Sequence, residues 1–133
     1  MDLKRYSEHV FLSDPDVVSV CVVDERYEML GLFVREGLGI YASEEYIRQY
    51  ISITAPLVVE AFKKRERDLG TLGVVVVRYE KFVLSISPVQ DKIVILGFRP
   101  SVVFPFAERL SRIINEPSST LISDDSTVAN LSK

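Results

Sequence analysis

Between Leu72 and Phe98 the chain has room for three strands and little else. Leu72–Tyr79, Phe82–Ser87 and Lys92–Phe98 are separated only by Glu80-Lys81 and by Pro88-Val89-Gln90-Asp91. Breaks this short suit tight antiparallel turns, so the segment reads as a meander. Its first strand, Leu72-Gly73-Val74-Val75-Val76-Val77, is apolar on both faces. A strand with one wet face alternates instead. The pattern therefore predicts a sheet covered on both sides, which narrows the fold without naming an activity.

The rest of the chain supplies the covering elements. Leu3, Tyr6 and Val10 fall three and four apart between charged residues, which predicts a short amphipathic helix over Asp2–Leu12. Ser13-Asp14-Pro15-Asp16 ends it, because proline disfavours helix at the residue before it and Asp and Ser favour turns. Val17–Val23 reads as a strand apolar on both faces, interrupted only by Ser19, and Met29–Val34 as a second strand after the connector Asp24–Glu28. A long helix follows, with Ser43 as N-cap and Glu44-Glu45 in its first turn. Tyr46, Tyr50, Ile53, Leu57 and Ala61 form one apolar row on it, and Ile47, Ile51, Thr54, Val58 and Phe62 the adjacent row. Pro56 should bend this helix, and Gly70 can close it. After the meander, Phe106, Leu110 and Ile113 share the face of a last helix that Pro117 stops. The predicted order is helix, two strands, long helix, three strands, helix.

A length of 133 residues fits one domain, placed at 1–116, with a flexible polar tail of Ser, Thr and Asp over 117–133. A net charge of −3 offers no electrostatic footprint for nucleic acid. The lone Cys21 excludes an intramolecular disulfide and suits a reducing compartment. The apolar runs are too short to span a bilayer, and Asp2, Lys4, Arg5 and Glu8 stand where a signal peptide would need an apolar stretch. A cytoplasmic protein with no membrane insertion is the expectation.

Candidate chemistry is sparse. His9 and Cys21 are the only imidazole and thiol, too few for a structural zinc site, and Cys21 sits in an apolar run that reads as a buried, inert position. Asp14 and Asp16 flank a proline and read as turn residues. Gly31, Gly37 and Gly39 form no phosphate loop. Lys63, Lys64, Arg65 and Arg67 could meet an acidic partner, but they also complement the helix dipole, and Glu66 and Asp68 dilute their field. No nucleophile–base pair is visible, so no catalytic, cofactor or metal residue is assigned and no enzyme is expected. Tyr46 and Tyr50 stand out, because a helix with one buried stripe does not need two apolar rows, and tyrosine is enriched at interfaces.

The order of elements resembles the Roadblock / dynein light chain family and its profilin-like relatives over Leu3 to Asn115. The residues that carry the likeness are Asp14-Pro15-Asp16-Val17-Val18 opening the first strand, Val22-Val23-Asp24 closing it, the long helix, and Leu69-Gly70 before the third strand. Val34-Arg35-Glu36-Gly37, Pro88, Asp91 and Arg99-Pro100 look still closer to small archaeal Roadblock-like proteins. The chain departs from the family in having Arg26-Tyr27 where the first hairpin usually carries a glycine, and in Pro56. The resemblance implies an α+β fold: a five-stranded antiparallel sheet with the long helix on one face and the two terminal helices on the other. It also implies a non-enzymatic homodimeric adaptor or scaffold, with a small GTPase as one class of partner and no cofactor. The expected interface joins the third strand, Leu72 and Val74–Val77, to the long-helix row Tyr46, Tyr50, Ile53 and Leu57. The third strand lacks proline and, before Arg78, any charge, so a bare edge there would recruit another chain. The alternative is a PAS- or profilin-like module holding a small ligand between sheet and helix.

Overall fold

The computed structural model describes residues 2–35, 44–102 and 107–117. Five strands form one antiparallel sheet in the order β2-β1-β5-β4-β3. These are β1 (Val17–Asp24), β2 (Met29–Val34), β3 (Val75–Arg78), β4 (Val83–Val89) and β5 (Lys92–Phe98). The helices are α1 (Leu3–Ser13), α2 (Glu44–Lys63), the single turn α3 (Glu66–Leu69) and α4 (Ala107–Asn115). Ser43, Gly37, Gly39, Phe106 and the polar segment from Ser118 onward lie outside the described residues.

The two-sided burial read from the strands holds for the three central ones. β1 and β5 are buried almost throughout and β4 nearly so. On one face Tyr6 and Val10 of α1 and Leu110, Ile113 and Ile114 of α4 pack over Val20, Val22, Val94, Leu96 and Phe98. On the other, Ala55 and Val59 of α2 pack over Val18, Cys21, Leu84, Ile86 and Ile95. Successive residues point to opposite faces along β4 and β5, and in β1 a register shift between Val17 and Ser19 puts Val18 and Val20 on opposite sides.

β3 corrects the expectation. It spans four residues rather than Leu72–Tyr79, and it alternates half-buried Val75 and Val77 with exposed Val76 and Arg78. The cause is its place at the edge of the sheet, where the α1/α4 layer does not cover it. Its stem is held elsewhere: the Leu72 N–H donates to Glu66 Oε2 at 2.7 Å, which ties Leu72 to α3 instead of to β4.

Local chemistry explains the boundaries. The Asp2 carboxylate accepts the Arg5 N–H at 3.0 Å and caps α1. The expected helix through to Gly70 is broken after Lys63, and α3 closes at Gly70, whose φ of 90° only glycine adopts freely. Helix α2 runs unbroken through Pro56. The β4–β5 turn is tighter than expected, because Pro88 and Val89 belong to β4, and Gln90 makes the reversal in the left-handed region at φ 57°. Tyr27 does the same in the first hairpin at φ 63°, the position where the resemblance leads one to expect glycine. Asp24 supports that turn by accepting the Arg26 and Glu28 N–H groups.

Candidate interaction surface

Helix α2 is apolar on two sides. Ala55, Val58 and Val59 face the sheet. Ile53 and Leu57 are each 65% exposed, and Tyr46 is 42% exposed. At 3.6 residues per turn this second row lies roughly half a turn around the helix from the first. Of the two rows read from the sequence, the one containing Tyr46, Ile53 and Leu57 is thus the outer one. The other row is partly core: Val58 packs inward, while Thr54 and Phe62 are exposed. The side chain of Tyr50 lies outside those described.

The β3 edge lies beside that helix. Val75 and Val77 pack against the cluster that includes Ala55 and Val59. Val74 and Val76 point to the opposite side and are about one-third exposed, at 37% and 36%. Among the described residues β3 pairs with β4 alone, and no described strand lies along its outer edge. A side-chain hydrogen bond between Tyr46 and Tyr79 joins the start of α2 to the end of β3 and raises the Tyr46 phenol above its usual range. At the other end of α2, Phe62, Leu69 and Leu72 line an apolar groove of about 290 Å3 beside the stem of β3. The predicted interface residues divide between an exposed set (Tyr46, Ile53 and Leu57 on α2; Val74 and Val76 on the other side of the sheet edge) and a half-buried set (Leu72, Val75, Val77).

The charged groups have structural work. Asp14 is 2% exposed and receives both Arg109 Nε and Nη2 on its two oxygens, while Nη2 also reaches Asp16 Oδ2 at 2.6 Å. Hydrogen bonding to Asp14 raises the Arg109 guanidinium further above its usual value. Asp14 Oδ1 accepts the Asp16 N–H at 2.8 Å, the turn bond expected from the sequence. Arg35 closes the same corner by donating to the carbonyls of Val17 and Phe11 at 2.8 Å and stacking 4.7 Å over the Phe11 ring. The sequence marked Arg35 only as part of Val34-Arg35-Glu36-Gly37 and gave no sign of Arg109, whose contact with Asp14 spans 95 residues.

His9 and Cys21 are on opposite layers: His9 is on α1, and Cys21 is in the α2-side cluster. Burial pushes the Cys21 thiol up to about 12, against a smaller lowering by Arg48, so it is not a nucleophile near neutrality. Among the described residues no group of three His, Cys, Asp or Glu side chains could hold a metal ion, and no helix is long and apolar enough to cross a membrane.

This architecture is matched among solved structures. A Roadblock/LC7 domain from Streptomyces avermitilis superposes with a TM-score of 0.67, covering 92% of this chain and 100% of that one at 9% identity. The chain has the Roadblock/LC7 fold. Myxococcus xanthus MglB superposes with a TM-score of 0.65 over 91% of this chain and 98% of its own, and M. xanthus MglC with 0.62 over 91% and 97%, both at 12% identity. No family model matches the sequence, and no curated protein matches it. β3 and α2 are the third strand and the long helix of the expected element order.

Proposed function

We propose that the chain is a non-enzymatic adaptor or scaffold that works as a homodimer through the β3 edge and the outer row of α2. The observation that carries this is the exposure of Ile53 and Leu57, at 65% each, next to an unpaired strand edge. A bare apolar edge is an aggregation hazard in a monomer. Isologous pairing with a second copy closes it, and two α2 helices then cover each other's outer rows. A solved MglB with a tetrameric arrangement shares the fold, with a TM-score of 0.61, which supports self-assembly as a property of such architectures. A small GTPase is the class of further partner that the family likeness implies.

Light scattering at micromolar concentration tests the reading, with a dimer mass as the expected result. Val76→Lys and Leu57→Glu alter exposed side chains, so each should leave the fold intact and yield monomer. Glu28→Ala, in the first hairpin, should leave the dimer unchanged. A well-behaved wild-type monomer overturns the proposal.

A further inference from the structure

The two edges of the sheet are built differently. At one end, the pairing of β2 with β1 slips between Val22 and Val23, where Leu30 is an extra residue. A bulge of this kind twists an edge strand away from further pairing. At the other end, β3 pairs with β4 without a slip from Val75↔Ile86 to Arg78↔Val83. The one charge on β3 does not guard its edge. The Arg78 guanidinium donates to the carbonyls of Pro100 at 3.3 Å and Val102 at 3.0 Å, past the end of β5, so it reaches back across β4.

The ladder also fixes which backbone groups face outward. The Tyr79 N–H donates to the Phe82 carbonyl at 2.8 Å, which turns Tyr79 towards β4. Hydrogen-bonded and non-hydrogen-bonded positions alternate along an antiparallel ladder. Val77 and Val75 are therefore turned inward as well, and the N–H and C=O groups of Arg78, Val76 and Val74 point to the outer edge.

A second copy can meet those groups in few registers. A two-fold axis perpendicular to the sheet keeps both α2 helices on one face, and residues directly opposite each other then share parity. With the axis at Val76, Val76 faces its own copy and Val74 faces Arg78 of the second copy, so all three outward residues of each strand are paired. An axis at Val75 calls instead on Leu72, whose N–H is taken by Glu66 at 2.7 Å. An axis at Val77 calls on Glu80, which lies in the turn between β3 and β4. An axis at Arg78 sets two arginines directly opposite each other, an unfavourable like-charge pair.

We propose that two copies join β3 to β3 antiparallel with Val76 on the two-fold axis, making one sheet continuous through both chains. This rests on the homodimer reading and adds the register, which that reading leaves open.

Cysteine variants of the full chain test it, with the native Cys21 buried and the wild type as control. Opposite residues of a hydrogen-bonded pair have Cα atoms about 5.5 Å apart, within disulfide range. Val76→Cys should therefore give a disulfide-linked dimer under mild oxidation. Val74→Cys should not, since the two copies of Val74 lie four residues apart along the strands, at least about 13 Å. Hydrogen exchange on the wild type reads the same register without a substitution: the Val74, Val76 and Arg78 amides should all be slowed at least about tenfold relative to open amides. Light scattering on the same samples separates the two claims. A monomeric wild type overturns the dimer and the register together. A dimer in which Val76→Cys stays unlinked, in which Val74→Cys links more readily, or in which the Val74 or Arg78 amide exchanges freely keeps the dimer and overturns the register.

Discussion

Arg109→Ala should be among the most damaging single changes on the surface of α4. It removes the partner of Asp14, whose side chain is 2% exposed. Breaking a buried ion pair from one side typically costs about 3–5 kcal/mol, because a desolvated charge is left behind. Two features lower that figure. Arg109 is itself 29% exposed, so water can enter where it stood, and Asp14 keeps the Asp16 N–H at 2.8 Å. The accompanying loss of the Asp16 contact, between side chains both about 30% exposed, adds at most about 1 kcal/mol. A net loss of about 2–3 kcal/mol follows. Urea denaturation reads it directly: with a slope of about 1–3 kcal/mol/M, the midpoint should fall by roughly 1–2 M. Arg109→Lys should fall between, since an ammonium cannot bridge both Asp14 oxygens in a fork. Arg112→Ala, exposed on the same helix, should stay within about 0.5 kcal/mol of wild type. Because the Arg109 guanidinium is raised, its contribution persists below its unfolded pKa and is lost only as pH climbs through the higher folded one. The damage should therefore be the same at about pH 6 and about pH 9. A loss in Arg109→Ala no larger than in Arg112→Ala would refute the reasoning.

Further outcomes can be checked in the same way. Burial raises the Cys21 thiol from 9.0 to about 12, so the unfolded chain gives up this proton first and stability should fall as pH rises from about 9 towards 12; Cys21→Val should lessen that fall in melts at a series of alkaline pH values, leaving the part that the buried Tyr6 phenol, raised from 10.0, contributes in the same direction. Gly97→Ala would place a Cβ inside contact distance of Ser19 Oγ and the Phe82 ring and should cost about 1–3 kcal/mol by urea denaturation. Gln90→Gly relieves a left-handed backbone at an exposed turn and should stabilise by about 0.5–1 kcal/mol, a rise of a few degrees in Tm; a fall would show that the Gln90 side chain supports the turn.

Legibility followed the range of the forces involved. β1, β2 and β5 could be read almost to the residue, because their boundaries are set by Asp14-Pro15-Asp16, by the Asp24 turn and by strand parity, all local. β3 was overextended because Leu72–Val74 is as apolar as the strand itself, and only the bond from Leu72 N–H to Glu66 reveals that the stem turns away. The Arg109–Asp14 contact was invisible for the opposite reason: charge in a turn and charge on a helix carry no local sign of meeting.

Among the described side chains of α2, size and burial run in opposite orders. The sheet receives Ala55, Val58 and Val59, while the larger Ile53 and Leu57 are left in solvent. A helix that only had to cover this sheet would gain by the reverse arrangement, since burying a Leu or Ile side chain is worth about 1.5–3 kcal/mol. The large residues form an outer ridge, which the proposed dimer would bury. At 65% exposure each, covering Ile53 and Leu57 would contribute about 1–2 kcal/mol per side chain, and a two-fold axis doubles it. Added to backbone bonds along a paired β3 edge, that gives α2 and β3 a joint reason for their composition that neither has within one chain.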